Sequence, residues 1–252
     1  MIDPEEPGIA IALPGEWAVK KLLGPVLSEI GDDIKRLYAA GRDRIFTTAI
    51  NKIDDIDDGK IPNLRVTRDV LWNGAFCQDK VCAEYFGGIL ASCRTDDGKD
   101  DSSIQFVDVI KSLSAKQLNL HYVAYYALNK LLVQGKRHIN VGQGSEIQRV
   151  EIWLSSLELV NVHDINIGTD PNALWRHGLL HEYKTDSADL GGKTLPYTMV
   201  KPTTFGAMLY AAAHNKMNHW REFPTIDLGS FDGTMPPTVY APDLPSLKNI
   251  GE

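Results

Sequence analysis

A chain of 252 residues suffices for one large domain or two small ones, and 43% hydrophobic with 23% charged residues is ordinary for a globular protein. A formal net charge of −7 argues against a committed nucleic-acid binder, which carries a strong basic excess. The opening MIDPEEPGIAIALPGEW is acidic and its apolar run is broken by Pro14, so neither a signal peptide nor a membrane span is expected, and the expected location is the cytoplasm.

From Trp17 to Ile53, apolar residues such as Val19, Leu22, Val26, Ile30, Ile34, Leu37, Ile45 and Ala49 recur at three- and four-residue steps. That spacing predicts one amphipathic helix, or two broken near Gly41. Its polar face mixes Glu29, Asp32 and Asp33 with basic residues. Packing on the body or on a second chain is therefore favoured over contact with a membrane surface. DDIDDGKIPN (54–63) and TDDGKDDSS (95–103) are acidic breaks. Ile56 and Arg65 in the first, and Cys93 and Thr95 in the second, stand where calcium ligands belong, so both read as solvated loops.

Between those breaks, residues 64–94 predict one or two helices with Val70, Leu71, Ala75, Val81, Phe86, Ile89 and Leu90 facing inward. Gly87-Gly88 inside this pattern predicts tight packing or a bend, because paired glycines weaken a helix that has no packing reason for them. Cys77, Cys82 and Cys93 are odd in number and fit neither a disulfide framework nor a zinc pair, so core or half-buried thiols are expected. A short helix is predicted over 103–113.

Two Ser-x-x-Gln capping boxes, Ser114 with Gln117 and Ser145 with Gln148, then predict helices over 114–134 and 145–160, the first stopping at Gly135. Residues 160–168 alternate enough for a short strand or an extended link. Asp170-Pro171 opens a predicted helix over 171–183, followed by a wing hairpin over 183–201 and a closing helix over 203–216. Beyond Trp220 the chain is proline-rich and aperiodic, which predicts a tail that is extended, draped over the body or partly disordered. The predicted fold is mainly α, with a helical region (1–113), a winged-helix-like module bearing a small β-hairpin (114–220) and a proline-rich extended tail (221–252).

Several segments resemble a known family. KKLLGPVLSEIGDDIKRLYAAGRDRIFTTAINKI, LRVTRDVLWNGAFCQDKVCAEYFGGILASC, SSIQFVDVIKSLSAKQLNLHYVAY and GLLHEY followed by YTMVKPTTFGAMLYAAA are similar to the opening, middle and close of the abortive-infection alpha (Abi-alpha) family. The resemblance spans roughly residues 17–216 and departs at Cys77-Gln78-Asp79-Lys80, where the family tends to be acidic. It implies a role in bacterial defence against phage, and it implies no catalytic residues.

Residues 115–220 hold 10 Lys and Arg against 8 Asp and Glu, and all seven histidines. In a DNA-bound module the third helix of this block would present Trp175, Arg176, His177 and His181 to the major groove, with Lys184 and Lys193 on phosphates. Arg176 is the long donor suited to guanine. The competing reading makes that helix a packing element, which the small basic excess favours. His177 and His181 stand four apart, a spacing that can hold a metal on a helix, but HGLLHE lacks the glutamate of a zinc hydrolase. Gly142-Gln143-Gly144-Ser145 lacks a P-loop lysine and reads as a capped turn. No cofactor, metal or catalytic constellation is therefore expected. The leading expectation is a non-enzymatic component of phage defence acting through a protein partner or self-association. A winged-helix DNA-binding regulator is the alternative, and a histidine-centred metal nuclease comes third.

Overall fold

The computed structural model describes residues 36–190 and 192–248, and its central element is helix α5 (Ala115–Gln134). Ser114 Oγ accepts from Gln117 N while the Gln117 side chain accepts from Ser114 N, so two orphan amides at the helix start are satisfied together. Leu118, Leu120, Tyr122, Val123, Tyr125, Leu128 and Leu132 are all buried, which is why the helix lacks a strong polar face. Each such side chain contributes about 1.5–3 kcal/mol on burial.

Four helices before α5 form one wall of the core. Helix α1 (36–51) runs through Gly41 without a break and buries Ile45 and Ala49; the part of the predicted helix that precedes it lies outside the described residues. Helices α2 (Leu64–Gly74) and α3 (Lys80–Ser92) are separate, each capped by a side chain that accepts from two backbone amides: Asn63 for α2 and Asp79 for α3. A short antiparallel ladder of β1 (Ile61–Pro62) and β2 (Arg94–Thr95) ties their outer ends, and α4 (Ile104–Ile110) follows. The glycine pair in α3 marks tight packing. A Cβ on Gly88 would lie 2.0 Å from the Ala213 carbonyl oxygen, at the end of helix α9 (Thr204–Ala213). Gly88→Ala is expected to cost roughly 1–3 kcal/mol, despite alanine's better helix propensity, as the two backbones are forced apart. The reading is a lower denaturant midpoint at unchanged slope, and an unchanged midpoint would contradict this packing.

The expectation of a mainly α chain is overturned, chiefly by the strands beyond α5. The described residues hold two antiparallel sheets, of two and four strands, so the fold mixes α and β. Residues 145–160 are not one helix. A single turn, α6 (Gly144–Ile147), leads to strand β3 (Ile152–Ser155) and then helix α7 (Ser156–Asn161). Ile152 and Leu154 point inward and alternate with half-buried Trp153 and Ser155, a period of two that suits a strand once a partner is present. The hairpin of β4 (Leu180–Leu190) and β5 (Lys193–Pro202) supplies that partner through β5. Helix, strand, two helices and two strands is the connectivity on which a winged helix is built, but here the hairpin is half of a four-stranded sheet rather than an appendage to helices.

Residues 160–168 form neither a strand nor an extended link but the end of α7 and a run of turns. Helix α8 (Asp170–Arg176) stops seven residues earlier than the predicted 183 because Gly178 takes a φ of +69°, a left-handed exit open to glycine. The C-terminal segment is woven into the body. Phe223 and Phe231 lie in the main core, and β6 (Tyr240–Ala241) adds an edge strand beside β3. The Asn129 amide of α5 donates to the carbonyls of Phe223 and Ile226 and accepts from Leu228 N. Three backbone groups of a proline-rich stretch are thereby satisfied by one buried side chain. A 3₁₀ turn (Met217–Glu222) and helix α10 (Leu244–Lys248) complete the order.

Candidate functional site

The residues that the sequence nominates for DNA contact do not form a basic face. Arg176 is exposed at the end of α8, and His177 caps that helix with its Nε2 3.4 Å from Ser112 Oγ. His181 lies on β4, at the irregularity between Leu180 and Glu182, so the helical four-residue spacing of the two histidines does not exist. Lys184 pairs with Asp186 at 2.9 Å and lies over the Tyr197 ring. Its ammonium titrates above the ordinary lysine range because Asp186 stabilises the charge. Lys193 starts β5 opposite Leu190, roughly 30 Å along the hairpin from His181 at about 3.3 Å per residue. Lys201, between Glu182 at 2.7 Å and Glu151 at 3.4 Å, completes a hairpin surface of alternating sign. Among the described residues, no group of three His, Cys, Asp or Glu could hold a metal ion.

A cavity with charged walls lies elsewhere, about 450 Å3 between α1, the start of α3 and the C-terminal segment. It is lined by Arg44, Thr48, Asn51 and Lys52 of α1, by Gln78, Lys80, Ala83 and Glu84, and by Asp232. Its floor is an ion pair. Lys52 Nζ lies 2.5 Å from Glu84 Oε2, with the two side chains only 13% and 8% exposed. Lys52 Nζ also donates to the Ala213 carbonyl at 2.8 Å and lies 4.7 Å from the centre of the Phe231 ring. Burial pulls the Lys52 ammonium below the usual lysine range, and Glu84 and Asp232 work against that pull. At the rim, Arg44 donates through one amino group to the carbonyls of Cys77 and Gln78.

Behind the floor lies an aromatic and imidazole cluster. Tyr85 Oη is hydrogen-bonded to His121 Nδ1, the His121 ring stacks on Tyr125, and His214 stacks on Phe231. Burial lowers His121 to about 3, and burial with the nearby Lys52 charge puts His214 well below the ordinary histidine value. Both rings are neutral packing groups at neutral pH. The thiols are one half-buried (Cys77) and two buried (Cys82, Cys93). Contact with Cys82 lowers Cys77 to about 7.

The thiols are placed as the sequence leads one to expect, but Lys52, Glu84 and Asp232 were not nominated from it. Glu84 carried one usable signal: it is the only acidic residue in KVCAEYFGGILAS, and a lone carboxylate on an otherwise inward helix needs a partner. Lys52 and Asp232 had none, because the partners lie 32 and 148 residues from Glu84 in sequence and only the fold joins them. No helix among the described residues is long and apolar enough to cross a membrane. Comparison of the chain with protein-family models, with curated proteins and with solved structures finds no match.

Proposed function

We propose that this protein works through protein–protein contacts, as a non-enzymatic component of a bacterial antiphage system in the cytoplasm. The defence setting rests on the resemblance of residues 17–216 to the Abi-alpha family. What supports the contact mode is the outer face of α2. Leu64 is 83% exposed and Trp72 68% exposed, at eight residues' separation, while Val66 and Val70 on the opposite face are fully buried. Phe76 just beyond the helix, and Leu37, Phe46 and Ile50 on α1, are exposed as well. A tryptophan held on a rigid helix with its ring in water is the residue type that dominates binding energy at interfaces.

DNA recognition is the weaker reading, because the hairpin lysines Lys184 and Lys201 already face carboxylates. The double variant Leu64→Ser/Trp72→Ala should keep the thermal midpoint of the parent. It should also lose both phage protection in a plating assay and the protein that co-purifies during infection. Full protection by the variant, or a strictly monomeric parent with no co-purifying protein, would overturn the proposal. Salt-dependent binding of duplex DNA that is lost in Arg176→Ala would favour the regulator instead.

A further inference from the structure

We propose that the cavity floored by Lys52 and Glu84 is a binding site for a free α-amino acid. The floor presents both signs of charge with capacity to spare. The Lys52 ammonium has three N–H donors; one is given to the Ala213 carbonyl, and the charge pairs with Glu84 Oε2. Glu84 Oε2 is buried and lies beside the Lys52 ammonium, yet it accepts no hydrogen bond among the described residues. Burying such a pair is costly, and an apolar pair of the same size would pack at least as well, so its position at the base of an open cavity calls for a use.

The rim repeats the pattern. Among the described residues Arg44 and Lys80 have no carboxylate ion-pair partner and Asp232 acts on Lys52 only through space, yet all three line one cavity. A simple anion there would meet Glu84 and Asp232, and a simple cation would meet Lys52, Arg44 and Lys80. A ligand carrying both charges a few ångströms apart meets neither objection.

An α-amino acid has that charge pair, and its carboxylate suits Arg44. One guanidinium amino group is fixed by the carbonyls of Cys77 and Gln78, leaving Nε and the other amino group to form a two-point contact. The ligand's ammonium then faces Asp232. A volume of about 450 Å3 is at the small end of ligand cavities and leaves room for a side chain.

The test is titration calorimetry and thermal shift on the full chain with each of the proteinogenic L-amino acids, inorganic phosphate and methylammonium. One amino acid or a chemically related subset should bind and raise the midpoint, while phosphate and methylammonium do neither. Arg44→Gln and Asp232→Asn, both at exposed rim positions, should fold normally and each weaken that binding roughly tenfold or more. Binding by none of the amino acids overturns the proposal. So does equal binding of phosphate or methylammonium, which would make this a simple ion site, and so does undiminished affinity in both variants.

Discussion

Lys52→Met is expected to lose about 3–5 kcal/mol of stability, the cost of leaving a buried carboxylate without its counter-charge. The loss arises mainly at Glu84, whose Oε2 has Lys52 as its ion-pair partner among the described residues. The Ala213 carbonyl loses a donor at the same time. The double variant Lys52→Met/Glu84→Leu removes both charges and should recover most of the loss, because packed apolar groups carry no desolvation penalty. Denaturant midpoints of the four chains of this cycle measure the coupling. If the single and double variants were equally destabilised, the ion pair would not be the source. Retained stability in the double variant with loss of amino-acid binding would separate the role of the pair in recognition from its role in folding.

Acid should unfold this protein earlier than its carboxylates alone would predict. His121 and His214 are neutral in the fold, with their folded values pushed below the ordinary 6.5 by burial, so the unfolded chain binds protons that the folded chain refuses. Their contribution is complete above about pH 6.5 and is lost as the pH falls from there, down to about 3 for His121. At about 1.4 kcal/mol per pH unit, His121 should remove roughly 2 kcal/mol by pH 5, and His214 and His163, also lowered by burial, act in the same direction. Asp69, Asp227 and Asp186, held below the usual carboxylate range by Arg68, Lys130 and Lys184, act in a lower window and do not blur this one. His214→Phe, which keeps the stack on Phe231 and removes a buried unpartnered Nε2, should fold at pH 7.5 and show a shallower loss of stability between pH 6.5 and 5. A wild-type stability flat over that range would refute the assignment.

Local chemistry made much of the helical part readable. The Ser114–Gln117 box starts α5, the Gly87-Gly88 pair marks the close approach of α3 to α9, and Thr203 caps α9 through Gly206 N. Each of these signals acts within a few residues and needs no distant partner. The errors share the opposite character. Ser145–Gln148 has the form of a capping box, yet Ile152 and Leu154 gain more as an inward strand beside β5, some 45 residues onward. Tyr240 and Ala241 read as tail, and become an edge strand because β3 offers an open side.

Trp72 and Leu64 were legible as residues of a helix, but their exposure was not, since it depends on which face α3 and α4 leave uncovered. By itself the sequence determined the starts of α5 and α9, the glycine contact and the solvated acidic loops. Those properties follow from neighbours along the chain or from composition. Tertiary structure alone decided the four-stranded sheet, the neutral buried histidines and the cavity, because strand pairing, desolvation and the meeting of Lys52, Glu84 and Asp232 are properties of groups far apart in sequence.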